Sequence, residues 1–172
     1  MSDISNDVDV SVKETLEKLG VALCADGEEF LSIEDKNWRT LLEFYSRDFQ
    51  FNCRYPIING KFASQCNDKA LLHQFGFYVD ENINEADSDE ITLLGNSKAN
   101  LTLKTQTRVA VKDSVELTLV PDSNITIFLF DTAKVTILEG SGEVIVRRYS
   151  NNAIISSESK EYKEYNYAWR NN

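Results

Sequence analysis

A small hydroxyl side chain returns at every ninth residue between residues 113 and 150. The positions are Ser114, Ser123, Thr132, Ser141 and Ser150. Aspartate precedes the first three of them. A fixed phase of this kind is typical of a chain whose segments stack on equivalent segments. It constrains the fold of this chain more than any other feature of the sequence.

From Ile91 onward, short apolar pairs recur in which an apolar residue alternates with a polar one. They are Leu101/Leu103, Val109/Val111, Leu117/Leu119, Ile125/Ile127, Val135/Ile137 and Val144/Val146. Alternation at period two predicts strands that bury one face. Each unit therefore consists of about five residues of strand and four of turn.

Two architectures have this rhythm, an antiparallel β-sandwich and a parallel β-solenoid. The turns read Asp-Ser, whereas tight hairpins demand Asn-Gly or Asp-Gly. Together with the constant phase, this favours the solenoid, and the sandwich is the alternative. In a solenoid, each hydroxyl can bond the backbone of its own turn and form a ladder with its neighbours.

The chain before this region has helical periodicity instead. A capping box at Ser11 and Glu14 predicts the start of a first helix. An apolar stripe from Trp38 to Phe49 predicts a second helix, and a third ends at Gly76. The chain is therefore predicted to be an α+β protein, with a short N-terminal helical head followed by an all-β parallel solenoid.

Composition divides the chain into four parts. We assign residues 1–79 to the helical head, 80–90 to an acidic connector, 91–159 to the solenoid and 160–172 to a C-terminal capping strand or tail. The tail alternates Tyr165, Tyr167 and Trp169 with polar residues. In a strand these rings point to one side, against the end coil or against another copy, so the tail is a candidate binding surface for a homodimer.

The formal net charge is −10. A surface of this sign repels phosphate backbones and anionic lipid, so we expect neither nucleic acid nor membrane as a partner. The N-terminus lacks the basic start and apolar run of a secretory signal. Three cysteines without CxxC spacing do not predict a disulfide framework. These features favour the cytoplasm.

Asp113 and Asp131 are the acidic side chains most suggestive of chemistry. If a coil takes two nine-residue units, they stack about 4.8 Å apart. Two like charges at this distance repel each other unless the carboxylates cap backbone amides of the turns or a cation bridges them. A third interpretation is a pair of sugar-processing carboxylates beside a basic residue. Turn capping is the leading interpretation, and Arg108 and Lys112 are the nearest cations for the last one.

His73 is the only histidine of the chain, so nucleophilic catalysis through histidine depends on it. Cys66 lies seven residues earlier, two turns away if one helix contains both. A zinc site of Cys53, Cys66 and His73 has no recognised spacing and lacks a fourth ligand. We interpret His73 as a packed helix residue, and we expect no metal and no cofactor.

Four segments carry a resemblance: GVALC (20–24), LLEFYSRDFQFNCRYP (41–56), FGFYVD (75–80) and LLGNS (93–97). In this order they resemble a group of uncharacterised proteins from gut Bacteroidetes. Those proteins have a short, cysteine-containing helical head followed by Val-rich repeats with Asn-Ser or Asp-Ser turns. The resemblance implies the same layout here, and it supplies no catalytic residues.

The function that we predict from these features is a non-catalytic structural or binding module that acts through its solenoid surface. The alternative is a carbohydrate-active β-helix enzyme that uses an acidic face of the solenoid. An enzyme needs two carboxylates that converge with a cation in a groove. In a scaffold, the carboxylates bond their own turns.

Overall fold

The computed structural model of the chain describes residues 28, 32, 37–47, 49 and 58–168. The chain divides into two compact units, Met1–Ile58 and Asn59–Asn172. Four features of the sequence lie outside the described residues: two of the three cysteines, Cys24 and Cys53, then Trp169, and the helix predicted to begin at Ser11.

Helix α1 of the first unit spans Trp38–Arg47. The side chain of Asn37 accepts a hydrogen bond from the Thr40 amide at 3.1 Å, as an N-cap does. Leu41, Leu42, Phe44 and Tyr45 are buried. The helix therefore lies within the apolar stripe that the sequence indicates.

The second unit begins with two short helices, α2 (Gly60–Ala63) and α3 (Lys69–Gln74). The sequence predicts one helix through this region. It is interrupted because Asn59 and Asp68 each cap a new helix, accepting from Phe62 N and Leu71 N at 2.9 Å. Gly76, at φ 74°, follows α3 and leads into the first strand.

Eleven β-strands follow within the described residues. They are β1 (Phe77–Val79), β2 (Asn82–Ile83), β3 (Glu90–Leu94), β4 (Lys98–Leu103), β5 (Thr107–Val111), β6 (Glu116–Pro121), β7 (Ile125–Leu129), β8 (Lys134–Ile137), β9 (Val144–Arg148), β10 (Ile154–Ser157) and β11 (Lys163–Asn166). The odd-numbered strands form sheet A and the even-numbered strands form sheet B, each in chain order. All strand pairs are parallel.

Each coil supplies one strand to each sheet and is two nine-residue units long in the regular part of the solenoid. Glu90 pairs with Arg108 and Arg108 with Thr126, so equivalent residues recur after two such units. Parallel pairing of alternate strands is the solenoid pattern, and it excludes the hairpins of the sandwich alternative. The prediction of a parallel β-solenoid is confirmed.

The solenoid begins before Ile91, at β1. Coil one is shorter than the others, because Phe77 pairs with Thr92, fifteen residues further on. Its strand β2 has only two residues. Part of the acidic segment 80–90 is therefore strand, and residues 84–89 form the loop that precedes β3. A strand of two residues is too short to show an alternation of apolar and polar side chains in the sequence.

The inward-facing side chains of both sheets form one core of aliphatic columns. Leu93, Val111 and Leu129 stack in successive coils of sheet A, and each is fully buried. Burial of aliphatic side chains contributes about 1.5–3 kcal/mol each. The hydrophobic core therefore runs along the solenoid, and each coil adds an equivalent layer.

The outer faces of the two sheets differ. Outward residues of sheet A such as Ala110 and Phe128 are buried, so this column of β5 and β7 is apolar on the outer face as well as the inner one. Outward residues of sheet B such as Lys98, Asn100 and Glu116 are exposed. Single-faced burial, the sequence prediction, holds for sheet B alone. The unbroken apolar run IFLF at 127–130 is the sequence signal for burial on both faces of β7.

Charged side chains close the core at the last coil. Glu164 continues the inward column of Val146, and Arg148 continues the column of Leu129. The Nε atom of Arg148 lies 2.9 Å from Oε1 of Glu164. Inward-pointing charges of this kind discourage unlimited stacking at a sheet edge.

Removal of one whole coil should preserve the fold. Deletion of residues 108–125 joins Thr107 to Thr126. Thr126 is the residue of the next coil that is equivalent to Arg108, so the coil continues in register. We expect a cooperative unfolding transition by circular dichroism at a lower midpoint, because one interface between coils is lost.

The matched control deletes residues 108–116, half a coil. It joins Thr107 to Leu117, and an odd shift moves every apolar side chain to the wrong face. This variant should not fold. Equal behaviour of the two deletions would contradict a coil of two nine-residue units.

Candidate functional site

One corner of the solenoid has the same backbone geometry in four coils. Asp80, Gly95, Asp113 and Asp131 each follow a strand of sheet A and precede a strand of sheet B. Their φ angles are 53°, 70°, 56° and 50°. This left-handed region favours glycine and tolerates aspartate. We call these four residues the aspartate corner.

The carboxylates of the aspartate corner accept hydrogen bonds from backbone amides of neighbouring turns. Asp131 Oδ2 accepts from Asp113 N at 2.9 Å, and Asp80 Oδ1 accepts from Asn96 N at 2.8 Å. Asp113 Oδ2 accepts from both Gly60 N and Gly95 N at 2.8 Å. Hydrogen bonds from backbone amides to a carboxylate are charge-assisted and stronger than those between neutral groups. The carboxylates therefore bond the backbone of adjacent coils.

Asp113 also fixes the start of α2 against the solenoid. A Cβ atom added to Gly60 would lie 2.5 Å from Gly95 Cα and 2.9 Å from Asp113 Oδ2. Only glycine allows the two backbones this approach. The Asp113 carboxylate thus joins the short helix and two successive coils through one oxygen atom.

The hydroxyls of the nine-residue series occupy two corners. Ser114, Thr132 and Ser150 lie at the aspartate corner of three successive coils, and Ser123 and Ser141 lie at the opposite corner. The interval of nine thus reflects two corners in each coil.

The sequence suggested bonds within each turn and a ladder between neighbouring hydroxyls, and both occur. Ser150 Oγ accepts from Asn152 N of its own turn at 3.1 Å, and Ser114 Oγ lies 3.2 Å from Thr132 Oγ1 of the next coil.

Three of these hydroxyls also bond the backbone of the preceding coil. Thr132 Oγ1 donates to Asp113 O at 3.0 Å, and Ser150 Oγ donates to Asp131 O at 2.7 Å. At the opposite corner, Ser141 Oγ donates to Asp122 O at 3.2 Å.

The two cations considered for acid catalysis have partners elsewhere. Arg108 forms an ion pair with Glu90 on the neighbouring strand of sheet A. Lys112 is buried, with its Nζ 5.3 Å from the centroid of the Phe130 ring. These contacts do not bring the two cations to the carboxylates of Asp113 and Asp131.

His73 lies beside the first coil of the solenoid. Its Nε2 is 3.1 Å from both carboxylate oxygens of Glu81, and its ring stacks on Tyr78 with centroids 4.7 Å apart. Burial and the charges of Glu81 and Asp87 raise the pKa of Tyr78. These contacts suit packing of α3 against the first coil.

Cys66 does not share a helix with His73. It lies between α2 and α3, and its Sγ donates to the carbonyl oxygen of Asp68 at 3.7 Å. Burial is the main cause that raises the pKa of this thiol, so the thiolate is disfavoured. The helical spacing that suggested a Cys66/His73 pair therefore does not exist.

The tail strand β11 pairs with β9 and places Tyr165 next to Arg147. Tyr167 stacks on Tyr149 with ring centroids 5.3 Å apart, and Tyr149 stacks on Phe130 at 4.8 Å. We call these three rings the aromatic column. Their spacing in the sequence is close to one coil length, and this spacing is the sequence signal for the column.

Sheet B presents an ordered polar surface. Its outward side chains align in columns, and we call the following set the polar face: Lys98, Asn100, Glu116, Thr118, Lys134, Thr136 and Ser156. Glu116 lies between two cations, with Oε1 3.4 Å from Lys134 Nζ and Oε2 3.5 Å from Lys98 Nζ. Lys134, and next Lys98, hold the pKa of Glu116 below its usual range.

The described residues contain no group of three or more histidine, cysteine, aspartate or glutamate side chains placed to hold a metal ion. Among the helices in the described ranges, none has the length and hydropathy needed to cross a membrane. No family model, curated protein or solved structure matches the chain.

Asp113→Ala should be more destabilising than its partial exposure indicates. It removes the acceptor of two amides and places alanine in the left-handed region. We expect a loss of about 2–4 kcal/mol in the free energy of unfolding. Asp113→Asn should lose less, because asparagine tolerates this conformation and keeps one carbonyl oxygen.

Urea denaturation measures both changes. The matched control is Glu139→Ala, which removes an exposed carboxylate and should change stability by less than about 0.5 kcal/mol. An equal effect of Asp113→Ala and Glu139→Ala would contradict the role assigned to Asp113.

Calcium should not stabilise the protein, because backbone amides already engage the carboxylates of Asp113 and Asp131. We expect no saturable rise of the melting temperature on addition of millimolar CaCl₂, with MgCl₂ and NaCl of equal ionic strength as controls. A ligand that binds the native state alone must stabilise it. A saturable effect of calcium alone would show that the corner binds this ion.

Proposed function

We propose that this chain is a non-catalytic structural or binding module that acts through the surface of its solenoid. One observation carries the proposal: the carboxylates of Asp113 and Asp131 are hydrogen-bonded to backbone amides. Such bonds hold coils together. They are the arrangement expected of acidic residues in a scaffold.

Glycoside hydrolysis requires a different arrangement. One carboxyl group must donate a proton to the leaving oxygen while a second carboxylate attacks or activates water. Oδ2 of Asp113 already accepts hydrogen bonds from two backbone amides, and this engagement with the backbone argues against a role as proton donor. The separate partners of Arg108 and Lys112 also argue against a shared acidic centre.

The polar face is the surface that we propose for binding. Its charges are nearly balanced in a chain with a net charge of −10, so a partner meets little long-range repulsion there. Strands of a regular sheet hold these side chains in fixed positions, which lowers the entropy that binding costs. We propose a protein partner, and neither nucleic acid nor a membrane.

We also propose the cytoplasm as its compartment. The cysteine count is odd, and Cys66 is a buried free thiol, which a reducing compartment preserves. We also propose, as before, that the chain is related to the Bacteroidetes proteins whose layout it resembles.

A reducing-end assay on neutral and acidic polysaccharides tests the proposal. We expect the unsubstituted chain to release no more sugar ends than the Asp113→Asn/Asp131→Asn variant. Circular dichroism must first show that this variant is folded. Release by the unsubstituted chain that the double variant loses would establish the carbohydrate-active alternative.

A further inference from the structure

The two sheets end together at the C-terminal end of the solenoid. β10 is the last strand of sheet B and β11 is the last strand of sheet A. Within residues 58–168, no further strand pairs with the outer edge of either one. Each therefore presents backbone N–H and C=O groups that another strand can pair with.

The exposed large apolar side chains of the described residues lie on these same two strands. Ile154 of β10 is 54% exposed and Tyr165 of β11 is 50% exposed. An exposed apolar side chain on an unpaired edge strand favours pairing with a further strand. Two independent features, backbone and side chain, thus mark the same end of the molecule.

Charge at this end suits a second copy of the same chain. Residues 158–164 alternate in sign, with Glu158, Glu161 and Glu164 against Lys160 and Lys163. The near balance lowers the local repulsion between copies at this end of a chain with a net charge of −10.

A two-fold axis perpendicular to the sheets fits both edges at once. The sheets face each other across one core, so one axis can be normal to both. Such an axis pairs β11 with β11 and β10 with β10 of the second copy, antiparallel in each case. The symmetry therefore satisfies both edges in a single contact.

We propose that the chain forms a tail-to-tail homodimer through antiparallel pairing of β10 and β11 with their counterparts. Residues directly opposite each other in an antiparallel pair lie on the same face of the sheet. The two-fold axis in sheet A therefore passes between one residue of β11 and the same residue of the second copy. Lys163 or Glu164 at that position would bring like charges together. Tyr165 brings two exposed rings together, a favourable cross-strand pair.

The inward Arg148–Glu164 pair explains why the assembly stops at two. A closed two-fold contact uses the C-terminal end of each copy, which leaves no edge for further addition. The polar pair at the end of the core opposes stacking in any other geometry, because such stacking would bury its charges against aliphatic side chains. This inference rests on the proposed structural or binding function.

Light scattering coupled to size exclusion tests the assembly. We expect the unsubstituted chain to have twice the monomer mass of 19.6 kDa at tens of micromolar protein. Ile154→Lys/Tyr165→Lys should be monomeric with an unchanged melting temperature at low concentration. The control Thr102→Lys adds an exposed lysine to β4, away from this end, and should stay dimeric.

Cysteine cross-linking tests the register. Opposite residues of an antiparallel pair have Cα atoms about 4.5–5.5 Å apart, within the range of a disulfide. Tyr165→Cys should therefore form a dimer on non-reducing gels under mild oxidation, well above the level of the unsubstituted chain with its own cysteines. Asn100→Cys on the polar face is the control and should not.

A monomeric unsubstituted chain, a dimer that survives Ile154→Lys/Tyr165→Lys, or assembly into polymers would each overturn the proposal. Cross-linking of Asn100→Cys in preference to Tyr165→Cys would do the same. A monomer without hydrolytic activity contradicts the dimer alone. A dimer that hydrolyses polysaccharide contradicts the proposed function alone.

Discussion

The parallel backbone ladder between coils is the constraint on which the rest of this solenoid depends. Equivalent residues must recur at the same place in every coil, so each coil must turn at the same two corners. At one corner the turn needs a left-handed residue, and the chain provides aspartate or glycine there in four successive coils. Aspartate meets a second need as well, since its carboxylate accepts the amides that the turn exposes.

This double role changes how a row of acidic residues in a β-solenoid is interpreted. Two carboxylates stacked one coil apart suggest a cation site or a catalytic pair when the sequence alone is considered. Here the donors are main-chain amides, and one oxygen of Asp113 accepts from two of them, one in an adjacent coil and one at the start of helix α2. The acidic ladder is thus part of the backbone hydrogen-bonding of the fold, which relieves the repulsion between neighbouring charges.

The sequence favoured the parallel solenoid over the sandwich, because a constant nine-residue phase is typical of stacked corners. The sequence did not predict elements with a very short pattern or contacts that form only between coils. β2 has two residues and shows no alternation, and Asp68 divides a helix that apolar spacing alone joins. The partners of Lys112 and Arg108 lie one coil away, so no local pattern identifies them. The hydroxyl bonds to the preceding coil depend on the same geometry.

The order of the strands also determines how the solenoid bears load. The chain enters at β1, the first strand of sheet A, and leaves at β11, the last. Tension between these two ends acts across the ladders and opens hydrogen bonds one after another, as in a zipper. Each coil that detaches releases about 60 Å of extended chain. Under such tension, we therefore expect the solenoid to lengthen in discrete steps, one coil at a time.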